Sequence, residues 1–177
     1  MSSPEVFGAT LGSRERLSTL GAVALGVGGM TVLGIVLTAD RGELGWLFLS
    51  LPFTLFLFVA GRFAPTGYRL GAEGVHVERR AGAAVIPYRR IRAVDREARP
   101  VRGLTLGGSA GIFGCFGRFW NARLGLYRLF LSNRDGVVWL ATDGGWIGLS
   151  PDRPDEFVER LRARLGPAPS AREEERG

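Results

Sequence analysis

The sequence predicts a membrane helical hairpin followed by a small β-rich domain of about seven antiparallel strands, closed by one C-terminal helix. Three observations indicate this class. The first third of the chain holds two long uncharged apolar runs, residues 66–149 alternate short strand patterns with turns, and the apolar period becomes helical near the C-terminus. We therefore expect a membrane anchor and one folded domain in the 177 residues.

The two apolar runs have the lengths of membrane-crossing helices. Residues 17–39 and 44–61 contain no charged side chain, and as helices they would span about 34 Å and 27 Å against a bilayer core of about 30 Å. The short polar segment 40–43 between them predicts a tight reversal, and residues 1–16 form an N-terminal segment. Two alternatives are a secretory signal sequence for the first run and buried helices of a soluble protein for both runs.

Arginine placement predicts the orientation of the hairpin. Arg14 and Arg16 precede the first run, Arg62 and Arg69 follow the second, and the turn holds only Arg41. Basic residues flanking membrane helices favour the cytoplasmic side. We therefore expect a multi-pass protein of the inner (plasma) membrane with both termini in the cytoplasm.

Individual residues within the two runs predict how the helices pack. Ala22, Gly26 and Gly34 share a helix face that allows close approach, either to the second helix of the same chain or across a homodimer. Pro52 is expected to kink the second helix near its middle, and Trp46 to lie at the outer membrane interface.

Residues 65–166 are predicted to form the β domain. The candidate strands are 68–70, 75–78, 83–86, 91–98, 126–132, 137–141 and 146–149. Asn133–Gly136 has the chemistry of a hairpin turn, so 137–141 is expected to pair back on the preceding strand. Asp152 or Arg153 is expected to cap a last helix whose apolar stripe recurs every four residues, and residues 167–177 to be a disordered tail.

Composition limits the chemistry available to the chain. There is no lysine, one cysteine (Cys115) and one histidine (His76), which argues against a P-loop and a metal cluster within one chain. We predict no catalytic, cofactor-binding or metal-binding residues, and therefore not an enzyme. Residues 62–134 carry fourteen arginines against four acidic residues, an excess of ten positive charges, while the whole chain has a net charge of +6.

Two motifs resemble a known family. The stretch 86–94, IPYRRIRAV, is similar to an I-P-Y-x-x-I-x-x-V segment, and 149–157, LSPDRPDEF, to the start of the last helix, in bacterial PH-domain membrane proteins. The resemblance covers about residues 65–165. It implies a pleckstrin-homology-like (PH-like) domain placed after two transmembrane helices, with a non-enzymatic role. The first hairpin turn, 71–74, departs from lipid-binding eukaryotic PH domains because it is neutral to acidic.

The stretch 111–121, GIFGCFGRFWN, is the main candidate for a contact surface. One interpretation is structural, with the glycines marking bends of a curved sheet. The other is a loop whose aromatics enter the membrane interface while its arginines meet anionic lipid headgroups or a protein partner. The candidate contact residues are Arg69, Arg79, Arg80, Phe113, Phe116, Arg118, Phe119, Trp120 and Arg123.

The predicted function is that of a membrane-anchored PH-like binding module, which presents its basic domain to the inner leaflet or to a protein partner. The expected partners are the lipid bilayer, anionic headgroups, another protein or a second copy of the chain, and not nucleic acid. One alternative is an accessory subunit of a membrane complex that assembles through its helices. Another is an enzyme with an arginine-based site.

Overall fold

The computed structural model describes residues 5–42, 45, 48–96, 101 and 103–166. These residues form ten strands, three helices and a short 3₁₀ turn at Tyr88–Arg90. In chain order, the elements are β1 (Glu5–Gly8), α1 (Ser13–Arg41), α2 (Leu51–Phe63), β2 (Pro65–Leu70), β3 (Gly74–Arg79), β4 (Ala84–Pro87), β5 (Ile91–Asp95), β6 (Leu104–Gly111), β7 (Gly114–Asn121), β8 (Gly125–Leu131), β9 (Val138–Thr142), β10 (Gly145–Leu149) and α3 (Pro154–Leu165).

Helix α1 is long and apolar enough to cross a membrane. It runs for 29 residues, and its central part, Ala22–Gly29, is wound as a wider π-helix. Most of its apolar side chains are exposed; Leu25, for example, is 79% exposed. The helix ends at Gly42, whose φ of +71° is easy only for glycine and whose N–H donates to Thr38 O at 2.8 Å.

Helix α2 is shorter than the predicted second span. Leu51–Phe63 contains 13 residues, about 20 Å of helix and less than a bilayer core. Within the described residues, α1 alone is long enough to cross a membrane. The second of the two predicted membrane-crossing helices is therefore not shown. Trp46 and the tail 167–177 lie outside the described residues.

The expected kink at Pro52 is wrong. Pro52 lies in the first turn of α2, where its missing N–H would have no partner within the helix anyway. The carbonyl of Ser50 accepts hydrogen bonds from the Thr54 N–H and hydroxyl, both at 2.9 Å. Proline therefore begins this helix rather than bending it.

The two helices approach each other closely at one glycine. A Cβ on Gly26 would lie 1.9 Å from the ring of Phe53, so a larger residue there would force the Phe53 ring to move. This is the contact within one chain that the small-residue face predicted. The homodimer alternative remains a prediction.

The domain consists of two sheets that pack face to face, with α3 against their shared core. The first sheet has the order β1-β2-β3-β4 and the second the order β5-β9-β10-β8-β7-β6. Side chains from both sheets and from α3 meet in one apolar cluster that includes Tyr68, Val75, Leu140, Leu149 and Phe157. This sheet-rich domain with a C-terminal helix confirms the predicted class of the domain.

The N-terminal segment, expected to stand apart, is part of the domain. Strand β1 pairs with β2, placing Phe7 opposite Tyr68. The Phe7 side chain is 2% exposed, and its ring meets Phe157 edge-on with 5.2 Å between centroids. Asp152 does not cap α3, because its carboxylate instead accepts the N–H and hydroxyl of Thr10, each at 2.7 Å. Arg153 occupies the N-cap position without a capping hydrogen bond, and its guanidinium instead donates to the Glu156 carboxylate of the helix at 2.7 Å.

The expected hairpin between β8 and β9 is also wrong. Strand β9 pairs with β5 and β10, and β10 lies between β8 and β9, parallel to β8. The connection from Leu131 to Val138 is long enough to pass over one strand, which a tight hairpin turn is not. Ser150 at the end of β10 fixes this arrangement, since its hydroxyl accepts the N–H groups of Ser132 at 2.9 Å and Asn133 at 3.2 Å.

Candidate functional site

The region where α1 begins, α2 ends and the β6–β7 hairpin turns is the centre of the candidate site. The N–H of Phe113, at the hairpin tip, donates to the Thr19 hydroxyl of α1 at 2.9 Å. A Cβ on Gly61 of α2 would lie 3.5 Å from the Phe113 ring. The N–H of Gly12, just before α1, donates to Ser132 O at 3.2 Å. These contacts attach the ends of both helices to the β domain.

A buried ion pair adds to this attachment. Glu15, in the first turn of α1, is 4% exposed, and Arg134 Nε lies 3.4 Å from its carboxylate. Arg134 also donates to Ala110 O at 3.0 Å and to Cys115 Sγ at 3.1 Å. Burial raises the pKa of the Cys115 thiol more strongly than Arg134 lowers it, so this cysteine stays protonated. The loop before β9 thus joins the first helix to the glycine-rich hairpin.

The glycine-rich stretch forms the turn after strand β6 and all of strand β7, and neither strand was predicted from the sequence pattern. Gly108 and Gly117 have φ values of +135° and +119°. A Cβ on Gly108 would lie 2.0 Å from Phe116 O, and one on Gly117 would lie 2.1 Å from Gly107 O. Glycine is therefore needed because the two backbones approach too closely for a side chain. The structural interpretation explains these glycines.

Two of the predicted contact residues are buried. Phe116 packs against Ala60 and Ala64 at the end of α2. Phe119 is 2% exposed and stacks on Tyr127, with 5.9 Å between ring centroids. Neither side chain is therefore accessible to a lipid or a protein partner.

Phe113 occupies an intermediate position at the hairpin tip. It is partly buried against α2, and its φ of +57° is uncommon for a residue other than glycine. The tight turn and the contact with the two helices hold it there. It remains in the candidate set.

The outer face of β7 and β8 carries exposed apolar and basic side chains. Trp120 is 48% exposed and lies between Leu104 and Leu126 on the neighbouring strands. Next to this row, Arg118 lies directly opposite Arg128, and none of the described carboxylates forms an ion pair with either. Like charges in this register repel, so this face is electrostatically suited to an anionic partner.

Arg69 and Arg123 lie apart from the helix ends. Arg69 is half-buried in β2 and pairs with Glu78 at 3.0 Å, so its charge is already compensated. Arg123 is exposed in the β7–β8 turn, whose N–H groups are held by the side chain of Asn121. The nine predicted residues therefore do not form one site.

Three arginines gather where α2 meets the domain. The N–H of Ala81, in the β3–β4 turn, donates to Arg62 O at 2.8 Å and fixes the turn beside the helix end. The Arg79 guanidinium lies 5.9 Å from the centre of the Phe63 ring, and Arg80 is exposed. Arg62 was not among the predicted contact residues, although it is the first charge after the second apolar run and could have been found on that ground.

A separate basic pocket lies at the far end of the domain. A cavity of about 550 Å³ between β5 and the end of α3 is lined by Arg89, Arg92, Arg162 and Arg164. Arg164 donates to Gly71 O at 2.8 Å, and Arg92 pairs with Asp143 at 2.6 Å. The sequence pattern did not indicate this cluster, because its members come from segments about seventy residues apart.

Within the described residues, no group of three or more His, Cys, Asp and Glu side chains is arranged to hold a metal ion. The described geometry is therefore one of basic and apolar surfaces near the helix ends, together with a basic pocket.

Two sheets closed by a C-terminal helix form the architecture of a PH-like domain. A family model described as Bacterial PH domain matches residues 66–165, which extend from β2 to the end of α3. The chain belongs to the bacterial PH domain family. The match leaves out β1 and the two helices, and no curated protein or solved structure matches the chain significantly.

Proposed function

We propose that this protein is a membrane-anchored PH-like binding module, with its domain and both termini on the cytoplasmic side of the inner membrane. The observation that carries this proposal is the pairing of β1 with β2. Strand β1 precedes α1 and β2 follows α2, so the apolar segment between them leaves the domain and returns to it. A chain whose two ends meet in one sheet has to enter and leave the bilayer on the same side.

The placement of charge supports the cytoplasmic orientation. Arg62, Arg79 and Arg80 lie at the end of α2, and Arg14 and Arg16 lie at the start of α1. Basic residues next to membrane helices favour the cytoplasmic side. Each arginine close to an anionic leaflet contributes about 1 kcal/mol to its attraction.

The binding surfaces of the module are the basic helix junction formed by Arg14, Arg16, Arg62 and Arg80, for the leaflet, and the outer face of β7 and β8, for a protein partner. The second surface combines Trp120 with Arg118 and Arg128, residue types that are enriched in protein interfaces. The exposed apolar side of α1 also supports the accessory-subunit alternative, in which a second membrane protein covers that helix.

The experiment that tests membrane anchoring is flotation of the full-length protein on a density gradient after cell lysis without detergent. We expect the protein to float with the membrane fraction and to resist extraction at high salt and high pH. A variant with Leu25→Arg and Val32→Arg in α1 places two charges in the apolar stretch and is expected to lose flotation. A wild-type protein that stays in the soluble fraction as a folded monomer would refute the proposal.

A further inference from the structure

An open apolar crevice lies between the two helices and the domain. It has a volume of about 760 Å³, within the range of small-molecule sites. Val23 and Val27 of α1 form one wall, and Leu57 and Phe58 of α2 form the other. The helices touch at Gly26 and Phe53, and the crevice opens from that contact toward the domain.

The domain end of the crevice is basic. Arg62 and Arg80 both line it, and among its described lining residues none is acidic. The hydrogen bond from Ala81 N–H to Arg62 O holds the two arginines on adjacent segments. The Arg62 guanidinium lies 5.9 Å from the centre of the Phe58 ring, which directs it toward the crevice.

We propose that this crevice binds one glycerophospholipid molecule, with an acyl chain between α1 and α2 and the phosphate between Arg62 and Arg80. The proposal rests on the membrane anchoring proposed above. An apolar cleft between helices at the membrane surface is filled by whatever apolar material surrounds it, and in a bilayer that material is lipid. Both arginines line the crevice, and a guanidinium group matches the charge and the hydrogen-bonding geometry of a phosphate.

The neighbouring arginine provides a matched control. Arg79 precedes Arg80 in the chain, yet it lies on the other side of α2, over Phe63, and donates to Gly82 O at 3.1 Å. It lines a different groove, between α2 and the glycine-rich hairpin. Arg79→Gln therefore removes the same charge from the same turn without changing the crevice.

The test is lipid retention by the full-length protein, purified in mild detergent and analysed by native mass spectrometry. Phosphatidylglycerol is titrated into the wild type, Arg62→Gln/Arg80→Gln and Arg79→Gln. We expect saturation at about one lipid per chain, at least a tenfold loss of affinity in the double variant, and wild-type affinity in Arg79→Gln. Inorganic phosphate and glycerol phosphate, which lack acyl chains, are expected not to displace the lipid.

A second variant tests the apolar part of the crevice. Thr54→Trp introduces a large side chain at its helix-lined end and is expected to abolish retention while both arginines remain. Equal lipid binding by the wild type and the double variant would overturn the proposal, as would equal losses in the double variant and Arg79→Gln. Protection of the crevice by a second copy of the chain, seen as a lipid-free dimer, would also overturn it.

The two proposals fail separately in these experiments. If the wild type does not float with membranes, membrane anchoring fails and the lipid proposal fails with it. If the wild type and the double variant both float and neither retains lipid, membrane anchoring stands and only the lipid site is rejected.

Discussion

At the scale of single residues, glycine determines the shape of the surface next to the two apolar helices. The sequence predicts that the glycines of 111–121 mark bends, and the close backbone approaches at Gly117 and at Gly108, just before this stretch, agree with that interpretation. The strands themselves could not be predicted, because alternation of apolar and polar side chains cannot be recognised where every third residue has no side chain. The burial of Phe116 and Phe119 was missed for the same reason.

Gly117→Ala is expected to destabilise the domain by at least about 2 kcal/mol, because its φ is strained for alanine and the new Cβ would meet Gly107 O at 2.1 Å. Gly107→Ala is the matched control, since a Cβ there meets nothing within 4 Å. Thermal unfolding of the full-length protein in detergent would show a drop of several degrees for the first variant and little change for the second. Equal unfolding temperatures would contradict the close approach.

Tyr68 makes stability depend on pH in the alkaline range. Its hydroxyl donates to Phe130 O at 2.5 Å and accepts the Ser150 N–H at 3.1 Å. Burial raises its pKa from 10.0 to about 12. The folded state therefore keeps this proton when the unfolded state has lost it, so the contribution is complete below pH 10 and disappears as pH rises toward 12.

The expected loss between pH 10 and 12 is about 2 to 3 kcal/mol of unfolding free energy. In Tyr68→Phe, stability at pH 8 should fall because two hydrogen bonds are lost, and the alkaline decrease should become shallower. Unfolding measured from pH 8 to 12 tests this, with no lysine in the chain to titrate in that range. The same alkaline slope in both proteins would show that another group is responsible.

At the scale of elements, the strands with regular alternation of apolar and polar residues and the terminal helix could be predicted from the sequence. The strands with which each of them pairs could not. The predicted strands correspond to β2–β5 and β8–β10, and α3 begins at Pro154 as its composition indicated. The Asn133–Gly136 segment has the residues of a hairpin turn, but Arg134 contacts Glu15 and Cys115. These tertiary contacts cannot be recognised from the local sequence pattern. Strand β1 is only four residues long and precedes an apolar helix, so nothing local marks it as part of a sheet.

Phe7→Ala is expected to lower the unfolding free energy by about 3 to 5 kcal/mol, the range for removing a buried aromatic ring. Val6→Ala, on the exposed side of the same strand, is the control and should cost less than about 0.5 kcal/mol. Hydrogen exchange of β1 and β2 provides a second measurement. If the two variants are equally stable, β1 is not integral to the sheet.

The ion pair between Glu15 and Arg134 should act as a fixed link from helix to domain. Arg134→Gln leaves the buried Glu15 carboxylate without its partner and is expected to cost about 2 kcal/mol, below the range for fully buried pairs because Arg134 is 38% exposed. The double variant Glu15→Gln/Arg134→Gln should recover part of that loss. Amide exchange in residues 13–20 should rise in the single variant, and additive losses in the double variant would show that the two side chains are not coupled.

At the scale of the whole molecule, the class of the domain could be predicted from the sequence, whereas the number of helices long enough to cross a membrane could not. Two uncharged runs predict a hairpin, but the described structure has one helix of crossing length and a shorter second helix. Length and hydropathy do not show which residues of a run become helical. The proposal that both termini lie on the same side of the membrane rests instead on the pairing of β1 with β2.

Labelling of introduced cysteines tests this topology, in a Cys115→Ala background. We expect Asp40→Cys, at the far end of α1, to react with a membrane-impermeant maleimide in intact cells. Val6→Cys and Arg80→Cys should react only after the membrane is opened, since both belong to the domain that we propose to lie in the cytoplasm. Reaction of Val6→Cys from outside, with Arg80→Cys protected, would place the two strands on opposite sides and contradict their pairing.

The position of β1 also sets the order in which the molecule can be completed. During synthesis this strand leaves the ribosome before either helix, yet the edge that it joins is made only after both helices. Until then Phe7 has no apolar pocket to enter. A chain whose two apolar helices were misplaced could not bring β1 and β2 together. Under the proposed membrane anchoring, the first sheet therefore closes only in chains whose intervening segment enters and leaves the bilayer on the same side.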